Sequence, residues 1–199
     1  MATNAEITRT FKPSSANYWK GTAFSAAIFV PLIAVQFVLQ RDKVVLWVIL
    51  ITLVPLLLAG IALYFARARV FITPTQVGKQ DLVRTKWIPK ADFDRSLLLR
   101  AYSPPAEQPR TELFMFAADG RKLMRLFGRF WAEQDMLAIV EESGAKLAVV
   151  DEVMRPKDVV ALEPRALNWA EAHPWAFAFL ASGAILTLTV VIVVLVVGA

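Results

Sequence analysis

The sequence predicts an α+β membrane protein, in which three transmembrane helices accompany one small sheet domain capped by a C-terminal helix. Three observations support this fold class. The 199 residues are 57% hydrophobic with a mean hydropathy of +0.50, whereas a typical soluble domain is about 45–50% apolar. Three long stretches contain no charged residue. Between the second and the third stretch, short β-like runs precede a single amphipathic helical pattern.

The three uncharged stretches are residues 21–39, 44–66 and 174–199. At ~1.5 Å per helical residue, the first two are about 28–35 Å long. A hydrocarbon core is roughly 30 Å thick, so each stretch is long enough to cross it. Residues 1–20 are then a polar cytoplasmic tail, and residues 21–66 are expected to form a transmembrane helical hairpin.

Positive charges predict the orientation of these helices, because cytoplasmic loops carry an excess of Lys and Arg. The link between the first two stretches holds two basic residues, Arg41 and Lys43. The segments on the other side hold Arg9, Lys12, Lys20, Arg67, Arg69 and Lys79. The expected location is therefore the cell membrane, in a multi-pass arrangement with the N-terminus and middle domain in the cytoplasm and the C-terminus outside.

Residues 67–155 are predicted to form one small β-rich domain. "ARVFITPTQV" combines β-branched and aromatic residues with a Thr-Pro-Thr turn. "TELFMFAADGRKLMRLFG" predicts a hairpin, because two apolar runs flank Asp119-Gly120, a dipeptide favoured in tight turns. "AKLAVV" is either a last strand or an exit from the domain.

The segment 130–142, "FWAEQDMLAIVEE", predicts the closing helix. At ~100° per residue, one half of this helix is apolar. That half carries Phe130, Met136, Leu137, Ile139 and Val140. Trp131 projects onto the polar half, and Gly144 is a natural stop signal. Residues 156–173 are then a linker or an interfacial helix that leads to the third stretch, residues 174–199.

Several of these motifs together resemble the bacterial PH-like domains found on small membrane proteins. The resemblance covers about residues 67–150 and rests on "ARVFITPTQV", "WIPKADF", the "DGRKLMRL" hairpin and the closing helix. It implies a PH-like β-barrel or curved sheet capped by one helix. The family pattern often repeats Arg after the first hairpin, where this chain has Lys79 and Gln80. The third uncharged stretch also departs from the simplest two-span architecture of the family.

The strip "VGKQDLVRTKWIP" supplies the first candidate binding residues, Lys79, Arg84 and Lys86. Cations at a strand–loop–strand edge can converge on phosphate oxygens. The alternative is a solvated edge strand protected by its basic side chains. Arg67 and Arg69 likewise either contact lipid headgroups or only set the topology.

Trp131 is a further candidate contact for a partner or a membrane, since exposed aromatic residues favour interfaces. The alternative is that it packs beneath a neighbouring loop such as "SPPAEQPR".

Composition argues against several classes of function. The chain has no Cys and a single His, His173, which disfavours disulfides, thiol chemistry, metal sites and haem. It contains none of the common catalytic motifs, so we expect no enzyme, no cofactor and no small-molecule substrate. Residues 67–155 hold fifteen Lys and Arg against twelve Asp and Glu, a surplus too small for a nucleic-acid module.

The function expected from these observations is binding or scaffolding without catalysis. The first hypothesis is an accessory or assembly subunit of a larger membrane protein complex, whose partners are other membrane subunits and lipids. The second hypothesis is that the PH-like domain senses anionic lipid or the membrane surface.

Overall fold

The computed structural model describes residues 6–16, 18–19, 44–104, 108–180, 182–184 and 187; the side chains of residues 44–50, 53 and 57 are not among them. The described strands are β1 (Arg9–Phe11), β2 (Arg69–Ile72), β3 (Gln76–Gln80), β4 (Thr85–Pro89), β5 (Arg95–Tyr102), β6 (Arg110–Phe116), β7 (Lys122–Phe127) and β8 (Lys146–Met154). The helices are α1 (Val44–Arg67), α2 (Glu133–Ser143), α3 (Pro156–Leu162) and α4 (Trp169–Ala172). These elements make the chain an α+β protein with two sheets.

The chain divides into two units. The first consists of residues 1–98 and 111–149, and the second of residues 99–110 and 150–199.

Sheet A of the first unit has the strand order β1-β2-β3-β4, and each pair is antiparallel. β1 lies in the segment predicted to be a polar tail, and it pairs Phe11 with Val70. A strand of three residues is too short to show a period-2 pattern, which is why the sequence does not reveal it. The expected Thr-Pro-Thr turn joins β2 to β3, where Thr73 Oγ1 accepts a hydrogen bond from the Gln76 amide at 2.9 Å.

Sheet B has the strand order β7-β6-β5-β8. The hairpin predicted around Asp119-Gly120 is confirmed, since β6 and β7 pair antiparallel on either side of it. Gly120 has φ 78°, a conformation that favours glycine. Both faces of β6 are buried: Leu113 and Met115 join the core cluster, and Phe114 and Phe116 lie on the opposite face with no exposed surface.

The core of the first unit lies where the apolar faces of sheet A, of β6 and β7, and of α2 meet. Sheet A contributes Phe11, Val70, Ile72, Val77 and Ile88. The helix contributes Met136, Ile139 and Val140, as its predicted apolar half requires. The helix ends at the predicted stop, Gly144, whose φ of 77° is left-handed.

Helix α2 is not the last element of the domain, because β8 follows it. Of the two readings of "AKLAVV", the structure therefore supports the strand. The amide of Lys146 donates to the Asp94 carbonyl at 3.1 Å, and the amide of Ser103 donates to the Met154 carbonyl at 2.9 Å. The residue number rises along both strands, from Lys146 to Met154 in one and from Asp94 to Ser103 in the other. β8 therefore runs parallel to β5, at one edge of sheet B.

Among the residues with described side chains, no helix combines the length and the apolarity needed to cross a membrane. On this finding, the predictions of three transmembrane helices and of a multi-pass location in the cell membrane are wrong. A crossing needs about 20 consecutive apolar helical residues, whereas the described side chains of α1 begin at Ile51 and end at the charged Arg67. The first predicted span, residues 21–39, lies outside the described residues, as does most of 181–199.

The second unit contains the ends of β5 and β8 together with α3 and α4. Arg100 and Asp151 form an ion pair at 2.9 Å. Residues 156–173, predicted to be a linker or an interfacial helix, contain the two short helices α3 and α4. Asn168 caps α4 by accepting a hydrogen bond from the Glu171 amide at 2.9 Å.

Candidate functional site

The turn that joins β3 to β4 has an apex whose residue types are unusual for a hairpin. Gln80 pairs with Thr85, and the Asp81 amide donates to the Arg84 carbonyl at 3.0 Å. Leu82 and Val83 are therefore the two residues at the apex. Two-residue turns favour Asn, Asp and Gly, because these residues tolerate the backbone conformation that such turns need. An apolar pair at this position departs from local preference, and such departures are expected at functional sites.

The side chain of Val83 projects into solvent. It is 94% exposed, the largest value among the large apolar residues that the structure describes. Beside it lies an open cavity of about 460 Å³, lined by Tyr64, Asp81, Leu82, Val83 and Arg84. The apex thus combines an exposed aliphatic side chain with a shallow apolar recess. We call these five residues the apex site.

Two arginines lie at the apex site: Arg84 belongs to it, and Arg67 contacts it from α1. Arg67, at the end of α1, donates from Nη1 to the Leu82 carbonyl at 3.4 Å and so connects the helix to the turn. Arg84 is exposed and makes no ion pair or side-chain hydrogen bond within the described part of the chain. The single carboxylate of the site, Asp81, lies 3.4 Å from Lys79 Nζ. Arg84 is therefore available to an anionic group from outside.

Tyr64 forms the rigid wall of the cavity. Its hydroxyl shares a side-chain hydrogen bond with Trp131, and an indole N–H can only donate. Burial raises the pKa of the Tyr64 hydroxyl above its ordinary value of 10.0; the hydrogen bond with Trp131 opposes this shift. The phenol is therefore neutral at physiological pH and acts as a wall, with no role as a base.

An aromatic cluster holds this wall in place. The Tyr64 ring lies 4.9 Å from Phe130, and Tyr18 stacks on Phe130 at 5.6 Å with an interplanar angle of 9°. Phe65 makes an edge contact with Phe130 at 5.9 Å. Aromatic pairs at such separations add about 0.5–1.5 kcal/mol beyond the area they bury. The end of α1 is thus fixed relative to the rest of the first unit.

Lys79 and Lys86, two of the sequence candidates, do not line the recess of the apex site. They face each other across β3 and β4, on the side of sheet A that carries Val77 and Ile88. Lys79 Nζ donates to the Arg125 carbonyl at 3.3 Å, and Lys86 Nζ donates to the Leu123 carbonyl at 3.4 Å. Both lysines therefore cap carbonyl groups of β7, the edge strand of sheet B opposite to β8.

The structure separates the other sequence candidates as well. Arg69 pairs with Gln80 in sheet A and donates from Nη2 to the Ala66 carbonyl at 3.4 Å. Trp131 is only 2% exposed and belongs to the core cluster. The helical projection placed it on a polar face because it assumed a helix from residue 130. The helix begins at Glu133, so Trp131 precedes it and turns inward.

This arrangement can bind another molecule through its two arginines, the exposed Val83 and the apolar recess. Of the six sequence candidates, only Arg67 and Arg84 lie at the apex site. Sequence reasoning missed Leu82 and Val83, although an apolar pair in the middle of a basic turn was a usable signal.

Comparison of the chain with protein-family models and with curated proteins finds no match.

Proposed function

We propose that this chain is a non-enzymatic docking or scaffold protein that binds a partner protein through the apex site. The observation that carries the proposal is the 94% exposed Val83 at the apex of a turn where an apolar residue has no structural use. An apolar side chain that stays in water in the folded state contributes almost no hydrophobic stabilisation to folding. A partner surface that buries it recovers about 25 cal/mol for each Å² of apolar area.

The charged residues at the apex site indicate which kind of partner it would bind. Arg67 and Arg84 flank the recess, and the one acidic group there, Asp81, is already paired with Lys79. An incoming segment with acidic residues around an apolar anchor would place its anchor against Tyr64 and Leu82. Its carboxylates would then reach Arg84, whose guanidinium accommodates a carboxylate in bidentate geometry.

The same geometry favours protein docking over the anionic-lipid alternative. A phosphate grip needs several cations that converge on one point, and the strip "VGKQDLVRTKWIP" contains three. Lys79 and Lys86 instead hold the backbone of β7, which leaves Arg84 as the member of this trio at the apex. The resemblance to bacterial PH-like domains stays a prediction, and the proposal does not depend on it.

The test is photo-crosslinking in the cells that make the protein. A photoreactive residue at Val83 is expected to give one discrete adduct with a protein. The matched control position is Leu162, which is also exposed and apolar but lies at the end of α3. Charge reversal by Arg84→Glu, far from the core, is expected to reduce the adduct about tenfold, the effect of losing ~1.4 kcal/mol.

Two outcomes would reject the proposal. One is an equal adduct pattern at Val83 and Leu162, which would mean that the apex has no preferred partner. The other is a phospholipid adduct in place of a protein adduct, which would support the lipid alternative.

A further inference from the structure

The exposed surface at the apex site continues into β4. Five consecutive residues, from Val83 to Trp87, are exposed. β4 is the end strand of sheet A within the part of the chain that the structure describes. The side of sheet A next to the apex site is therefore accessible to another molecule along the first half of β4.

The pairing with β3 shows where the backbone groups of β4 are directed. On one side of β4, the Asp81 amide donates to the Arg84 carbonyl at 3.0 Å. On the other side, the Lys90 amide donates to the Thr75 carbonyl at 2.8 Å, and the register between these two bonds has no shift. Even-numbered residues along β4 therefore direct their backbone groups towards β3, and odd-numbered residues direct theirs away from it. Pro89 fits this alternation, because proline has no N–H to give to β3.

We propose that the partner segment anchored at the apex site extends along β4 as an added antiparallel strand, an inference that rests on the docking function proposed above. The amides and carbonyls of Thr85 and Trp87 are directed away from β3 and would bond the backbone of this segment. In strand addition of this kind, main-chain hydrogen bonds supply affinity and alternate side chains supply specificity. The pairing would end at Pro89, which has no N–H to donate.

The charges along β4 indicate an acidic segment. Arg84 and Lys86 are exposed, and residues 83–87 include no acidic side chain. Lys86 would belong to a non-hydrogen-bonded pair with the added strand, in which opposite side chains approach most closely. Its ammonium group has three donors, and the Leu123 carbonyl accepts from one of them. A carboxylate opposite Lys86 would therefore form an attractive cross-strand pair.

The same charges oppose the pairing of β4 with a second copy of itself. A two-fold axis at Thr85 would place Arg84 opposite Lys86, and an axis at Lys86 would place two Lys86 side chains opposite each other. An axis at Trp87 would place Arg84 opposite Lys90. Like charges directly opposite each other are destabilising. The expected occupant is therefore a different protein.

Trp87 gives the added strand a fixed aromatic contact. Its ring lies on Gly78, where a Cβ atom would come 2.6 Å from a ring carbon, and it stacks on Phe71 at 6.1 Å. The indole is thus held against sheet A, and Trp87 remains 37% exposed. The partner residue opposite Trp87 is expected to be apolar, next to the acidic residue opposite Lys86.

Photo-crosslinking of the full-length chain from Val83 tests this inference separately from the docking function. Thr85→Pro removes an N–H that is directed away from β3, and proline is tolerated at such positions of edge strands. The variant is expected to lower the yield of the Val83 protein adduct about tenfold, the equivalent of ~1.4 kcal/mol. Thr85→Val keeps the N–H and is the matched control, with an unchanged yield. Circular dichroism would verify that both variants fold.

Amide hydrogen exchange gives a second measurement that needs no change in β4. In the purified Val83 adduct, the amides of Thr85 and Trp87 are expected to exchange at least about tenfold more slowly than in the free chain. The Lys86 amide is directed towards β3 and serves as the internal control, because it should be protected in both states.

The outcomes separate the two proposals. The absence of a protein adduct at Val83 would reject the docking function and the added strand together. The added strand alone would be overturned by an undiminished adduct in folded Thr85→Pro, by an equal loss in Thr85→Val, or by unchanged exchange at Thr85 and Trp87. If Thr85→Pro does not fold, the exchange measurement gives the answer.

Discussion

The β6–β7 and β3–β4 hairpins lie in the same unit but treat their charged residues in opposite ways. In β6–β7, Glu112 is fully buried, and its Oε2 lies 2.6 Å from Arg125 Nη2 and accepts a hydrogen bond from Arg125 Nε at 2.8 Å. The Arg125 guanidinium also lies over the rings of Phe114 and Phe127, at 4.8 and 4.4 Å. In β3–β4, Arg84 reaches into solvent beside the exposed Val83.

The position of a hairpin in the fold therefore determines the role of its basic residues. Both hairpins carry basic residues beside apolar ones, so their sequences look alike. The β6–β7 hairpin has two buried faces, and a charge there needs an internal partner. One face of the β3–β4 hairpin is open: Trp87 lies on it, stacked on Phe71 at 6.1 Å. The exposed Arg84 at the tip of this hairpin can therefore bind a group from another molecule.

The largest expected effect would come from breaking the buried pair. Glu112→Gln leaves the Arg125 charge buried without its counter-ion, which is expected to lower the free energy of unfolding by about 3–5 kcal/mol. Urea denaturation followed by circular dichroism would measure this loss. The control is Asp119→Asn on the same hairpin, because the Asp119–Arg121 pair is exposed and should contribute at most about 1 kcal/mol. Similar losses in the two variants would show that burial does not increase the contribution of the Glu112–Arg125 pair to stability.

A medium effect is expected where the two hairpins meet. Replacing both Lys79 and Lys86 by Met leaves the carbonyls of Leu123 and Arg125 without these donors, at a cost of about 1 kcal/mol for each bond lost. Hydrogen exchange along β7 should become faster as well. Lys157→Met, at an exposed position of α3, is the control. If the double variant were as stable as wild type, the lysines would be solvated side chains, as the edge-strand hypothesis holds.

The smallest expected effect concerns Tyr64 at alkaline pH. Its pKa is raised in the folded protein, so above pH 10.0 the unfolded chain loses its phenolic proton first. The unfolded state then binds fewer protons than the folded state, and the stability due to this group falls as pH rises. Tyr64→Phe should therefore show a shallower decline in the free energy of unfolding as the pH rises above 10.0. Parallel pH profiles for the two proteins would contradict this assignment.

Local patterns predicted several elements of the first unit. The hairpin around Asp119-Gly120, the Thr73 turn, the apolar face of α2 and its stop at Gly144 follow from short-range rules on turns, periodicity and caps. The candidate site was predicted only in part. Arg67 and Arg84 were identified by their charge, while Val83 was missed because the sequence does not show that it lies at the apex of a two-residue turn.

The α+β class, the strand and helix patterns around residues 68–144 and the surplus of basic side chains can be inferred from the amino-acid sequence, because they depend on neighbours along the chain. Which basic side chains of the described residues are available for binding depends on the tertiary structure. Lys79 and Lys86 meet carbonyl groups that are about 40 residues away in sequence, and Trp131 enters the core because its helix begins two residues later. Packing between the sheets brings such partners together, and a local sequence pattern cannot show a contact between residues so far apart along the chain.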